Sequence, residues 1–395
     1  MNRTAMARCA AVCVAVLFLG GCATNHGSPT TGADHNVILV TLDGLRWQEL
    51  FGGYDPLVAT KEAGGVADVA KLKRAFARDS AEASRAAIMP FFWSVVAKEG
   101  QVFGDRGVKN VGRVINPYKF SYPGYNELLT GFVDPKINAN DYPPNPNVTV
   151  LEWLHGRPGF EGKVAAYGAW ERMHEIVNAK RGGFPAFAGW QPIPAFHGVA
   201  LSARERVLND LLARTTRVWP IEPPDALVQE AAMEFLTRHK PRVFFIMLGE
   251  TDEWAHARRY DLYLESAQRS DDFLRRLWET VQSMPGYAGK TSLVLTTDHG
   301  RGSTPRDWTD HGAKVPGAEG WWAAVLGPTV PARGVVGEGE VTQSQIAATV
   351  AALVGEDYRA AEPRAAAALP AVRTGLPTAT KLPHTRGAEP QRRPG

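Results

Sequence analysis

The chain is predicted to fold as an α/β protein, with a mainly parallel central sheet and helices on both faces. Three observations predict this. Short apolar runs recur along the chain without polar alternation. Helix-spaced stretches lie between them. Asp and His residues gather directly after the runs.

The runs are residues 37–42 (VILVTL), 163–167 (KVAAY), 243–248 (VFFIML), 292–297 (SLVLTT) and 322–326 (WAAVL). Short apolar runs that do not alternate read as strands buried on both faces. Residues 226–239 have helical spacing. So do residues 260–284, where Leu262, Ala267, Phe273, Leu274 and Leu277 can form one stripe. Strands alternating with helices favour a parallel sheet. Residues 142–148 (YPPNPNV) and 184–196 (FPAFAGWQPIPAF) read as long irregular stretches, a common form of functional loop.

The N-terminus reads as an export signal over residues 1–21. Arg3 and Arg8 precede an apolar run about ten residues long, with no acid. That run is too short for a bilayer core of roughly 30 Å. The signal ends in Leu19-Gly20-Gly21-Cys22, which resembles a lipobox. Cys22 is therefore expected to carry lipid and to anchor the exported chain to a membrane, at the periplasmic face or the cell surface. Residues 22–33 are small and polar and read as a flexible tether. Residues 34–358 form the expected catalytic domain. Residues 359–395, rich in Pro and Ala, read as a disordered tail.

Composition narrows the chemistry. Cys9, Cys13 and Cys22 are the only cysteines, so the exported domain has no thiol ligand and any metal site must use His and carboxylates. The formal charge is +3, which gives no electrostatic reason to expect nucleic acid as a partner.

In open α/β sheets, ligands bind beyond the carboxyl ends of the strands. Asp43-Gly44 follows the first run. Gly249-Glu250-Thr251-Asp252, with His256 four positions on, follows the third. Asp298-His299-Gly300 follows the fourth, and Asp310-His311-Gly312 precedes the last. Asp252 and His256 share one face of a helical turn. Asp298 and His299 can serve one ion only at a strand-to-loop break, which Gly300 permits. Ser121 reads as the N-cap of a short helix over residues 121–131, with Pro123 in the first turn. A helix N-terminus favours phosphate charge, so Ser121 is also the candidate nucleophile.

The order of these motifs resembles the alkaline phosphatase superfamily: Asp after the first strand, Ser heading a helix, D-x-x-x-H, D-H-G and a late H-G. The nucleotide pyrophosphatase/phosphodiesterase group is the most similar branch, through Ser121-Tyr122-Pro123 and Leu128-Leu129-Thr130-Gly131. The resemblance implies an alkaline phosphatase-like three-layer sandwich with two divalent ions, Zn²⁺ or else Mn²⁺. One ion would be held by Asp252, His256 and His311. The other would be held by Asp43, Asp298, His299 and the Ser121 oxygen. It implies hydrolysis of small-molecule phosphate esters through a phosphoserine at Ser121. A phosphate-contacting Asn is expected some twenty residues downstream. Asn138, Asn140 and Asn145 lie near that place, and Asn145 is taken as the contact.

Gly124 and Tyr125 depart from the Asn and His typical of the diesterase branch, which leaves monoester against diester open. A sulfatase is the main rival, although Tyr125 stands where such enzymes need Arg. A phosphotransferase using the same intermediate and a non-catalytic binding lipoprotein are the other readings.

Overall fold

The structure is a computed structural model that describes residues 34–372 apart from His197. The signal (1–21), Cys22, the tether (22–33) and residues 373–395 lie outside the described residues.

Ten strands are present among the described residues: β1 (Asn36–Leu42), β2 (Gln101–Phe103), β3 (Asn110–Arg113), β4 (Val164–Gly168), β5 (Ala186–Ala188), β6 (Val243–Leu248), β7 (Thr291–Thr296), β8 (Ala323–Leu326), β9 (Gly334–Val335) and β10 (Gly339–Thr342). Eight form one sheet in the order β5-β4-β6-β1-β7-β8-β2-β9, and β10 pairs with β3 separately. The five strands from β5 to β7 run parallel. Only β8 runs against its neighbours. The mainly parallel α/β architecture expected from the sequence is therefore present.

Strand burial explains why the runs lack polar alternation. Ile38, Val40 and Leu42 of β1 join one core cluster. Val37 and Leu39 join the cluster on the opposite face. Successive side chains point to opposite faces, and both faces are covered. The first core packs against the helices Asp225–His239 and Tyr260–Ser283. The second packs against Ser121–Thr130, Val150–His155 and Gln345–Leu353.

Three expectations need correction. The 184–196 stretch is not wholly irregular, because Ala186–Ala188 pairs with β4 as an edge strand. Leu262 is only half-buried, and Tyr263 and Leu264 fill the core stripe of its helix instead. The tail is not disordered from residue 359. The helix Tyr358–Ala361 and the turn Pro370–Val372 are formed. Ala365, Ala368, Leu369 and Ala371 join the second core, and the Leu369 amide donates to Thr349 Oγ1. Small methyl groups suffice here because four of the nine residues of the partner helix Gln345–Leu353 are themselves Ala.

The direction of β8 matters for the site. β7 ends at the carboxyl edge of the parallel strands. β8 is antiparallel, so it begins at that same edge. The loop between them, residues 297–322, therefore leaves from and returns to the edge where β1 and β6 also end.

Candidate active site

Asp43 follows β1 directly, and its backbone amide still bonds to Leu248 of β6. Gly44 then turns with φ +60°. A Cβ there would lie 2.7 Å from Asp252 Oδ1 and 2.8 Å from Arg301 Nε. Only glycine allows both the turn and the close approach. The Gly44 amide donates to Asp298 Oδ1 at 3.2 Å, which ties the end of β1 to the end of β7. Asp252 and His256 lie on the helix Glu250–His256, one turn apart. His311 comes from the 297–322 loop.

Ser121 is the first residue of the helix Ser121–Thr130; Phe120 is its N-cap. The expected cap position is thus one residue too late. The hydroxyl lies 3.3 Å from His299 Nε2. Gly124 shows why this helix can come so close, since a Cβ there would meet the Asp298 carbonyl at 2.5 Å. Tyr125, one residue on, donates its buried hydroxyl to Asp43 Oδ2 at 3.0 Å.

The predicted residues gather into two adjoining groups. Asp43, Asp298 and His299 form one, fully buried. Asp252, His256 and His311 form the other, more open to solvent. His299 Nε2 lies 3.3 Å from Asp43 Oδ1 and 3.5 Å from Asp298 Oδ2. Its Nδ1 faces the Gly300 carbonyl at 3.0 Å, so a proton on Nδ1 is donated there and Nε2 is turned inward. In the second group His256 Nε2 lies 3.1 Å from Asp252 Oδ2 and 3.0 Å from His311 Nε2. The His299 and His311 rings stack at 4.0 Å. Asp252 Oδ1 bridges the groups, 3.7 Å from His299 and 3.9 Å from His311.

The electrostatics are unbalanced. Three carboxylates converge in a region where Asp298 is fully buried and Asp43 nearly so. Burial pushes the Asp298 carboxyl well up, and Asp43 adds to that. Burial also opposes charge on His299, but Asp298 and Asp43 outweigh it and push the ring up to about 9. Burial, then the charge on His299, pulls His256 and His311 down. Asp43 Oδ1 and Asp298 Oδ2 have no hydrogen-bond partner. Buried polar atoms are normally paired, and orphaned carboxylate oxygens call for a cation. Imidazole and carboxylate donors without thiolate suit Zn²⁺ or Mn²⁺. The donor set therefore fits divalent ions.

Sequence reasoning missed two buried groups, Arg301 and Glu222. Arg301 is fully buried, bonds to the Asp252 carboxylate and carbonyl, and reaches the Thr309 carbonyl. Burial lowers its guanidinium to about 9, which still leaves it charged at neutral pH. Its place directly after Asp298-His299-Gly300 was the available signal. Glu222 lies against Gly249, and burial followed by Glu253 and Asp43 pushes its carboxyl well up. Asn140, one of the three asparagines expected near the site, accepts from the Tyr122 amide at 3.0 Å, beside Ser121.

Asn145, expected to contact phosphate, does not join these groups. Its side-chain amide donates to Asn126 Oδ1 and to the Ile176 carbonyl, and its oxygen accepts from the Asn147 amide. It is fully buried and braces the loop behind the helix. A concavity of about 920 Å³ lies elsewhere, against Phe91, Asp271, Arg275 and Trp278.

The mostly parallel central sheet with helices around it is an alkaline phosphatase-like α/β fold. Among solved structures, the chain is similar to a 2-O GAG sulfatase at 14% identity, with TM-score 0.53 over 88% of this chain and 76% of that one. It is similar to the phosphonate monoester hydrolase of Agrobacterium radiobacter at 14% identity, with TM-score 0.51 over 81% and 74%. It is also similar to the lipoteichoic acid synthase LtaP from Listeria monocytogenes at 11% identity, with TM-score 0.51 over 83% and 74%. No family model matches the chain, and no curated protein matches it.

Proposed function

We propose that the protein is a metal-dependent hydrolase of small-molecule phosphate esters with Ser121 as its nucleophile, on the pattern of the phosphodiesterase-like branch. One observation carries this reading. The Ser121 hydroxyl, heading a helix, lies 3.3 Å from the inward nitrogen of His299, which in turn faces the orphaned oxygens of Asp43 and Asp298.

Asp43, Asp298, His299 and Ser121 would hold one divalent ion; Asp252, His256 and His311 would hold the other. Bound there, the ions supply Lewis-acid stabilisation of charge developing on the ester oxygens. The chain does the rest. The N-terminus of the Ser121–Thr130 helix favours the phosphate anion. Tyr125 holds the Asp43 carboxylate by its free edge. Ser121 Oγ forms a bond to phosphorus as the bond to the leaving alcohol breaks. The proton lost by Ser121 passes to the departing alcohol; water then attacks phosphorus as the P–Oγ bond breaks, and its proton restores the Ser121 hydroxyl.

The rates on a nitrophenyl phosphate monoester, a phosphodiester and a sulfate, each with and without chelator, test the reading. Chelator-sensitive phosphoester turnover is the expected result. Sulfate turnover alone would overturn it in favour of a sulfatase, the second reading, which the likeness to the 2-O GAG sulfatase supports. Against that reading, the Tyr125 hydroxyl is spent on Asp43 and supplies no cation.

Two predictions follow from the ligands. Arg301 orients Asp252, and groups that orient a ligand typically contribute about 10- to 100-fold in metal affinity. Arg301→Met should weaken uptake at the Asp252 group by about that factor. Arg301→Lys should not rescue it, because an ammonium lacks the planar fork. Calorimetric Zn²⁺ titration of metal-free protein reads both, and unchanged affinity would mean that Asp252 needs no tether.

The second concerns pH. Without ions, His299 is protonated below about 9, so an ion must displace that proton. His256 and His311 are held below the ordinary imidazole value and are neutral at pH 7. Affinity of the Asp43 group should therefore fall about tenfold per unit of acidification. On lowering the pH from 8 to 6, that group should release its ion first. Metal content after dialysis at each pH, compared between parent and His256→Ala, checks the order.

A further inference from the structure

Nine large apolar side chains are left exposed among the described residues, and five of them fall between residues 199 and 221. They are Val199, Val207, Leu211, Val218 and Ile221. The helix Ala203–Arg214 explains part of this. It buries Leu208 and Leu212 on one face, which satisfies its packing. Yet Val207 and Leu211, one turn apart, are 57% and 45% exposed on another face. Arg214 continues that same stripe one turn later. Val218, 59% exposed, follows four residues beyond.

The exposed charge within the segment is mainly positive, although Arg204 is paired with Glu230 and Arg214 lies 4.0 Å from Asp210. Arg204, Arg206, Arg214 and Arg217 are exposed, against a single exposed acid, Asp210. The other acid of the segment, Glu205, is buried and bonded to Arg238. An apolar stripe flanked by arginines matches the interfacial zone of an anionic bilayer. There the apolar side chains enter the headgroup boundary and the guanidinium groups stay level with the phosphates. An acidic protein surface would account for the arginines but not for five exposed apolar side chains.

The segment also touches the active-site edge. Trp219 packs on Trp254 at 4.8 Å, and Trp254 lies on the helix between Asp252 and His256. Trp190 Nε1 holds the Trp219 carbonyl, with Arg217 over the Trp190 ring. Ile221 accepts from Glu171, just past β4.

We infer that residues 199–221 are a docking surface for an anionic lipid bilayer, which brings phosphoesters carried at that surface to the neighbouring site. The second clause rests on the phosphoester-hydrolase reading; the first does not.

The chain from Ala23 onward keeps both core clusters and lacks the expected signal and anchor, so it suits the test. It is sedimented with vesicles of phosphatidylcholine alone and of phosphatidylcholine mixed with phosphatidylglycerol. Binding is expected to the mixed vesicles and to weaken as salt rises. Val207→Asp combined with Leu211→Asp, both exposed and away from the ligands, should bind at least about tenfold more weakly. Its turnover of a soluble nitrophenyl phosphoester should stay within about twofold of the parent. Absence of binding to the mixed vesicles at low salt, or equal binding by the double variant, overturns the proposal. Binding without any phosphoester turnover would leave the surface standing and reject the catalytic reading.

Discussion

Ser121→Ala is expected to lower turnover of a nitrophenyl phosphoester at least about a thousandfold, the scale seen when a covalent nucleophile is removed. The helix itself should survive. Ser121 makes no capping bond, and Ala is a better helix former than Ser. Three protein ligands of its group would remain. A loss confined to kcat, with metal content and melting temperature near the parental values, is therefore the specific signature. Acid quenching of the parent during turnover should trap one phosphoryl group on the peptide containing Ser121. Two in-line displacements should give net retention at phosphorus. A variant retaining a tenth of parental turnover would remove Ser121 from the chemistry, and net inversion would exclude the covalent route.

Asp298→Ala should be almost as damaging to activity but by another route. Asp298 Oδ2 is an orphaned oxygen facing His299, and Oδ1 holds the Gly44 amide. The substitution removes one ligand and loosens the turn after Asp43. Loss of the ion from that group and a fall of about a thousandfold or more in turnover are expected. The core should not suffer, because the carboxyl contributes no apolar packing and burial penalises its charge. Metal-free parent and metal-free variant should melt within roughly 5 °C of each other. Normal metal content in the variant would show that Asp298 is not a ligand.

The clustering of Asp43, Asp252, His256, Asp298, His299 and His311 could be read from the sequence because each lies just past a strand or in the loop that joins two strands. β1, β6 and β7 are buried on both faces, so each shows as a mainly apolar run without polar alternation, and the first charged residues after it mark the edge of the sheet. The short strands gave no such signal. β5 and β9 have three and two residues, too few to show any periodicity. Asn145 was misplaced because counting residues through a loop ignores where the loop turns. The chain folds back, so that Asn140 reaches the Tyr122 amide while Asn145 is consumed by Asn126 and Ile176. Arg301 escaped notice because an arginine in a loop usually faces water. The packed segment 359–372 was read as tail because Ala and Pro are common in disordered chain. Composition cannot show that Ala365 and Ala368 meet an Ala-rich helix.

The return of β8 to the edge it faces has a consequence for biogenesis. Gly44 near the start of the domain must meet Asp298, 254 positions later, and His311 is fixed only when β8 joins β7. A chain still being made therefore has Asp43 and Ser121 exposed long before their counterparts exist. Ion capture should come late, after the last central strand has paired, and should lock a sheet already assembled rather than guide its assembly. Loading with metal would then mark a finished molecule, and a chain ending before Leu326 should stay empty however much zinc surrounds it.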